Sequence, residues 1–556
     1  MTRRGVGVSP GIGHGPAYIL AASVPEPPEG ATYDGDASQE KQRAMAALDH
    51  VAGDLEARGL HAGGQARDIL EAQALMARDP GLIVGVKSLI DRDVSAERAV
   101  YESFGKYRDL LTKAGGYLGE RAADLDDIRD RTIAVLMGLP MPGVPTDAAE
   151  PYVLIARDLA PADTALLSKD VVAAFVTEEG GPTSHTAILA RALGVPAVVA
   201  CPGATAIPAG TRLLVDGASG EVRLEPSDDE VGEAVRAAEA RLALLSEVTG
   251  PGATKDGHAV PLLANVGGPG DVEAALANGA EGVGLYRTEF LFLDRATAPT
   301  EQEQEDAYRA VLEAFPGGKV VVRTLDAGAD KPLAFLPPSS DEPNPALGER
   351  GLRMFRIFPE VMRSQLSALA RAHKGLPADL QVMAPMVAAP EEARWFADAC
   401  RTAGLPSAGV MIEVPAAALR AGDLAPAVDF FSIGTNDLAQ YTFAADRQVG
   451  ALSRLQDAWQ PALLDLVALA VGTHGKPCGV CGEAAADPAL ACVLVGLGVS
   501  SLSMGAPALP AVRAVLARHT LDQCRAAAGA ARASATPEEA RAAAREHLPA
   551  LAELGL

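Results

Sequence analysis

The residues best suited to chemistry fall in two places. The first is "TEEGGPTSHTAIL", beginning at Thr177. Gly180 and Gly181 allow a tight backbone after the apolar run Val171–Val176, and Thr183 or Ser184 can cap a following helix that Gly194 and Pro196 end. His185 then falls in the first turn. Backbone N–H groups and the positive helix end favour an anion there and disfavour imidazolium, which keeps a ring-nitrogen lone pair for attack. A phosphoryl group carried on that nitrogen would rest in an anion site, so His185 reads as a covalent phosphoryl carrier. A lone histidine at a helix start is ordinarily a solvated surface group. The two glycines and two hydroxyl residues before it set this one apart.

The second place is a set of polar residues, each ending an apolar run: Arg287, Arg323, Glu413, Asn436–Asp437 and Cys481. Arg287 and Arg323 offer planar forks for phosphate or carboxylate. Glu413 and Asp437 offer hard oxygens that suit Mg2+ with a phosphate completing the shell. Arg447, in "AADRQ", is a further candidate anion contact. Together they describe a site for a small, highly anionic, phosphorylated carboxylic acid. A network of structural ion pairs is the alternative, but it leaves Cys481 without a role. Cys478-x-x-Cys481 lacks the second ligand pair a zinc site needs and the context of a redox pair. Two readings of Cys481 stay open: an inert buried thiol, or a thiol that moves a proton at a metal-bound anion.

The elements that must position these groups are legible in outline. "GVGVSPGIGHGPAYIL" reads as two short strands, and further strand-like runs occur at Tyr152–Ala156, Val171–Val176, Ala197–Ala200 and Arg212–Gly217. Between them, from about Asp34 to Leu139, apolar residues recur at helical spacing. A small α/β domain is therefore expected, interrupted by a helical subdomain. "DDEVGEAVRAAEARLALLSEV" reads as a charged connecting helix ending at "TGPG", a candidate hinge. After Ala259, eight short β-like runs alternate with helical stretches, which implies parallel pairing. Eight such units fit a (β/α)8 barrel, with chemistry at the C-terminal ends of its strands; an open doubly wound sheet is the alternative.

Composition sets the class. With 556 residues and 48% hydrophobic content, the chain can fill several cores. A formal charge of −24 argues against general nucleic-acid binding and would steer a basic partner, though it also simply keeps a protein dispersed. Six cysteines do not make a disulfide framework, and "MTRR" is not followed by an apolar core, so a cytoplasmic protein is expected.

Taken together, "GGPTSHTAILARALGVPAVV", "GLYRTEFLF", "VVRTLDAGADKPL", "NPALGERGLR", "GVMIEVPAA", "FFSIGTNDLAQYTFAADR" and "CGVCGEAAADP" resemble the motifs of the enzyme I family of the bacterial phosphoenolpyruvate:sugar phosphotransferase system, over nearly the whole chain. The resemblance implies that phosphoenolpyruvate phosphorylates His185, through Nε2, with release of pyruvate. The phosphoryl group would then pass to the histidine-containing phosphocarrier protein HPr. By motif position, Arg287, Arg323 and Arg447 match the substrate-binding arginines, Arg350 a further anion contact, and Asn436 and Asp437 substrate contacts. Glu413 and Asp437 match Mg2+ ligands, Cys481 the acid that protonates the enolate carbon, and Thr164 a residue orienting the histidine. The implied organisation is an α/β phosphohistidine domain (1–30 and 143–226), a helical HPr-binding subdomain (31–142), a linker helix (227–251), and a phosphoenolpyruvate-binding barrel that also forms a homodimer (252–556). Pro182, Ala329 and Ala384 depart from the family pattern without removing a catalytic group; Pro182 bears on the approach to His185. Two rivals share the motifs. A pyruvate phosphate dikinase or phosphoenolpyruvate synthase would carry an ATP-grasp domain, and the segment before His185 is already assigned otherwise. A non-catalytic phosphoenolpyruvate sensor would not need the intact Arg, Glu, Asp, Cys and His set.

Overall fold

The computed structural model describes residues 2–20, 24–62, 73–114, 122–139, 141–142, 150–157, 159, 171–180, 186–187, 190, 194–293, 295, 297–329, 331–336, 342–446, 450–472 and 474–556. The chain divides into two compact units, Met1–Gly232 and Glu233–Leu556. No helix among the described residues is long and apolar enough to cross a membrane.

The first unit is built on an eight-stranded mixed sheet of β1 (Thr2–Arg4), β2 (Val6–Ser9), β3 (Ile12–Ile19), β4 (Tyr152–Ala156), β5 (Val172–Thr177), β6 (Ala197–Val199), β7 (Arg212–Asp216) and β8 (Glu221–Leu224), in the order β1-β8-β7-β3-β4-β5-β6-β2. Strand β4 shows why the centre is apolar throughout. Tyr152 and Leu154 join one core cluster while Val153 and Ile155 join another, as period-2 alternation requires of a strand covered on both faces. Ala187 and Ala190, helical residues just past His185, pack in the first of these clusters. That helix stops where the sequence says it should. Gly194 takes φ 67°, and Val195 N–H bonds back to Ala190 O at 2.9 Å, a Schellman-type ending.

Between β3 and β4 lie α1 (Ala37–Ala62), α2 (Pro80–Ile90), α3 (Ala96–Ala114) and α4 (Ala122–Met137), the expected helical insertion. Their apolar stripes meet in a separate core of Leu48, Val51, Leu55, Val86, Ile90, Phe104 and Ile128. Helix α5 (Asp228–Ser246) matches the charged connecting helix, with three acids in its first turn against the positive helix end.

The second unit is a closed barrel, not an open sheet. Strands β9 (Leu262–Val266), β10 (Gly282–Arg287), β11 (Lys319–Arg323), β12 (Asp379–Ala384), β13 (Ala408–Ile412), β14 (Phe430–Gly434), β15 (Cys478–Cys481) and β16 (Ser501–Met504) pair in parallel all the way round, β16 returning to β9. All eight apolar runs singled out in the sequence are its strands. Alternate residues face outward into the helix-covered core and inward into a smaller cluster of Leu285, Val321, Met383, Met411, Phe430 and Cys481, with one break in the alternation, a register shift in β10 between Val283 and Tyr286.

Candidate active site

Strand parity decides which polar residues share a space. Arg287 lies two residues beyond inward Leu285, Arg323 two beyond Val321, and Glu413 two beyond Met411, so all three belong to the inward face at the C-terminal end. Register sets their level: Arg287 is the Cα partner of Arg323, and Gly434 the partner of Cys481. Asn436 and Asp437 follow in the first turn of the helix Thr435–Phe443. The structure therefore brings Arg287, Arg323, Glu413, Asn436, Asp437 and Cys481 to one end of one barrel. His185, Thr164 and Arg447 lie outside the described residues.

A residue the sequence reading left without a role organises the buried charge. Asp326 is fully buried three residues past Arg323. It holds Arg350 with both oxygens, Oδ1 accepting from Nε at 3.0 Å and Oδ2 from Nη2 at 2.9 Å. Oδ2 also accepts from Lys331 Nζ at 2.7 Å and lies 3.4 Å from Arg323 Nη1. Burial by itself favours the neutral acid, but Lys331, Arg323 and Arg350 outweigh it and hold Asp326 well below the usual carboxylate range. Glu289 grips Arg323 from the other side, accepting from Nη2 at 2.5 Å. Burial works against the Arg323 charge, yet Glu289, Asp326, Glu413 and Asp437 keep its pKa above normal. Arg323 is thus a fixed cation.

Arg350 is wholly buried. Besides Asp326 it donates from Nη1 to Tyr441 O–H at 3.1 Å and lies 3.2 Å from Asp437 Oδ1. It stands behind Asp437, aligning it. Tyr441 in turn donates to Ala346 O at 2.5 Å, tying the loop before Arg350 to this cluster. The signal for Asp326 was in "RTLDAGADK", an acid at i+3 from a strand-end arginine. What it grips lies 24 residues away and could not be read from that spacing.

Glu413 is buried, and its Oε1 accepts from Met386 N–H at 2.6 Å. Met386 makes that bond from a left-handed conformation, φ 60°, rare for a non-glycine residue. Oε2 has no hydrogen bond among the described residues, and a Cβ on Gly434 would approach it to 3.1 Å. Burial, then the charges of Asp437 and Asp326, push the Glu413 carboxyl up to about 7. Among the described residues no group of three or more His, Cys, Asp or Glu forms a closed metal cage. A buried carboxylate with one idle oxygen, beside a second carboxylate, does fit a hard cation such as Mg2+ that takes its other ligands from substrate and water.

Cys481 is buried, its Sγ accepting from Ser432 Oγ at 3.5 Å and donating to Ile433 O at 3.5 Å. Burial pushes the thiol above its ordinary range; the Ser432 bond and Arg323 only moderate this. It is a protonated thiol, fit to give a proton. Cys478 faces the other way, into the outer core, which rules out a chelate or disulfide between the two.

Three family models match the chain: PEP-utilising enzyme, N-terminal, over residues 4–121; the mobile domain over 148–220; and the PEP-binding domain over 243–521. The chain is 63% identical over 548 residues to the phosphoenolpyruvate-protein phosphotransferase of Streptomyces coelicolor, covering 98% of each chain. It is 41% identical to the protein of the same name from Haloferax volcanii and 39% identical to that of Bacillus subtilis, in both cases over 93% of this chain and 94% of the relative.

Proposed function

The chain belongs to the phosphoenolpyruvate-protein phosphotransferase family, and we infer that it passes the phosphoryl group of phosphoenolpyruvate through His185 to HPr, releasing pyruvate. Phosphoryl transfer to protein is the reaction of the family; the residues and the acceptor are our assignment. Arg287 and Arg323 bind the phosphate and carboxylate of the substrate, with Arg447 and Asn436 as further contacts. Glu413 and Asp437 hold Mg2+, which supplies charge neutralisation at the transferring phosphoryl group. Arg350, matched by motif to an anion contact, acts here through Asp437, which it aligns from behind. His185, oriented by Thr164, attacks phosphorus; the P–O bond to the enol oxygen breaks as the N–P bond forms. Cys481 gives its proton to the methylene carbon of the enolate, and pyruvate leaves.

What supports this reading most is one geometric fact. Two arginines in register, two carboxylates and a protonated thiol gather where five strands of one closed barrel end, β10, β11, β13, β14 and β15. The domain roles follow: residues 1–30 and 143–226 carry the histidine, 31–142 dock HPr, 227–251 link, and 252–556 bind phosphoenolpyruvate and dimerise. Leu75 and Val84, at 71% and 66% exposure, offer apolar contact on the helical unit, and the acidic chain suits a basic carrier in the cytoplasm. His185 and the barrel residues belong to different units, so the two must meet and part in each cycle.

The test is labelling. With Mg2+ and labelled phosphoenolpyruvate, the protein acquires acid-labile, base-stable phosphate that HPr removes. His185→Ala abolishes it; label persisting on that variant sinks the carrier assignment.

A further inference from the structure

Barrels of this kind are ordinarily filled by branched aliphatic side chains. The lower interior here is mixed: Leu263, Val321 and Phe430 share it with glycines and serines. At inward positions β10 supplies Gly284, β14 Ser432, β15 Gly479, and β16 Ser501 and Ser503. Both serines of β16 are buried, as is Ser432. Together they line a cavity of about 20 Å³, which is room for one water molecule held by polar partners. Its floor is Lys319, the first residue of β11, and Gln381, both half-buried at the N-terminal end of the barrel. Its roof is Ser432, whose hydroxyl donates to Cys481 Sγ at 3.5 Å. The polar interior therefore joins the reactive thiol to the face of the barrel opposite the substrate.

This matters because the acid in pyruvate formation must be recharged. When Cys481 protonates the enolate, the new C–H bond takes the proton and the S–H electron pair stays on sulfur. The thiolate must regain a proton before the next turnover.

We propose that the serine-lined interior returns a proton to Cys481 from solvent at the barrel floor, through Ser432. The step balances as a concerted relay. The Ser432 O–H proton moves to sulfur, a proton from the cavity water moves to the Ser432 oxygen, and solvent at the floor restores the water. One solvent acid loses one proton, the thiol is regained, and no free alkoxide forms. The proposal rests on Cys481 being the carbon acid.

The test uses the full chain with Mg2+, phosphoenolpyruvate and carbon-labelled pyruvate in deuterium oxide. Two rates are compared: entry of carbon label into phosphoenolpyruvate, which counts reversals of the reaction, and entry of deuterium into the methyl group of pyruvate, which counts reversals in which the sulfur exchanged its proton with solvent. In Ser432→Ala the ratio of deuterium to carbon entry falls several-fold. A parallel loss of both, leaving the ratio unchanged, means the hydroxyl only orients the thiol and overturns the relay. Ser501→Val fills the cavity from its wall, two residues below the level of Cys481, and lowers the same ratio; an unchanged ratio there overturns the route through the cavity and decides the matter if Ser432→Ala does not fold. Cys481→Ala separates the premise: deuterium entry persisting at full rate in that variant removes the acid assignment itself.

Discussion

Asp326 grips Arg350 with both carboxylate oxygens, and neither side chain reaches solvent. A buried pair of this kind is poor evidence of net stability, but breaking it is costly because the surviving charge is stranded. Asp326 also faces Lys331 and Arg323, so its loss takes a partner from three cations and leaves Arg350 with only Asp437 as a counter-charge in contact. Asp326→Asn therefore costs roughly 3–5 kcal/mol. Adding Arg350→Met recovers part of that cost, a positive coupling that denaturation of the single and double variants measures. Purely additive losses contradict the hub.

Glu413 has one oxygen on the Met386 N–H and the other without a hydrogen bond among the described residues. Glu413→Gln keeps the size and removes the charge that a hard cation needs. Mg2+ affinity falls by at least the roughly 10–100-fold that even outer partners of a ligand contribute. Calorimetric Mg2+ titration of the variant checks this independently of turnover; undiminished binding moves the metal elsewhere.

Much of this was legible in the chain. The eight barrel strands were readable because each is a short apolar run closed by a turn or helix signal, and the polar residues that follow those runs lie at one end of the barrel. Strands β1 and β8 were not: "TRR" and "EVRL" are short and polar, and pairing makes them strands, β8 against β7 and β1 against β8. The barrel against the open sheet was undecidable from periodicity, since closure rests on the pairing of β16 with β9, more than two hundred residues apart. Arg350 matched an anion contact by motif, but its burial behind Asp437 depends on Asp326 and Tyr441 converging from distant segments. Met386 carried no signal at all, because a backbone N–H acts there.

That backbone is testable. Met386 is 1% exposed, with φ 60°. Its side chain packs on Gly351, whose own φ of 60° and absent Cβ admit it at close range, and its sulfur lies 3.8 Å from the Tyr441 hydroxyl. A β-branched residue is a poor tenant of that conformation. Met386→Val forces the turn to open, frees Glu413 Oε1 and weakens Mg2+ binding along with thermal stability. Stability lost with Mg2+ affinity intact shows that the turn does not orient Glu413.

The protonation of Cys481 has a direct signature. Burial raises the thiol above its ordinary range, and the acid form is the active one. Pyruvate formation is thus full at neutral pH and is lost only as pH rises through the raised thiol value, above the ~8.5 of a free cysteine. The Ser432 bond favours the thiolate, so Ser432→Ala moves that alkaline limb higher still. A pH–rate profile of pyruvate release is decisive; a limb at or below the free-cysteine value is incompatible with this assignment.

Gly194 ends the helix that follows His185, and its cost of replacement is purely conformational. A Cβ added there meets nothing within 4 Å, yet φ is 67°. Gly194→Ala therefore loses about 1–2 kcal/mol from the left-handed backbone alone, with no steric contribution. Asparagine tolerates that conformation, so Gly194→Asn loses distinctly less. The two midpoints of chemical denaturation, compared, separate backbone strain from packing: equal losses show that the added side chain, and not φ, is at fault. If phosphate labelling of His185 falls in the alanine variant and recovers in the asparagine one, the helix ending also sets how the carrier histidine is presented.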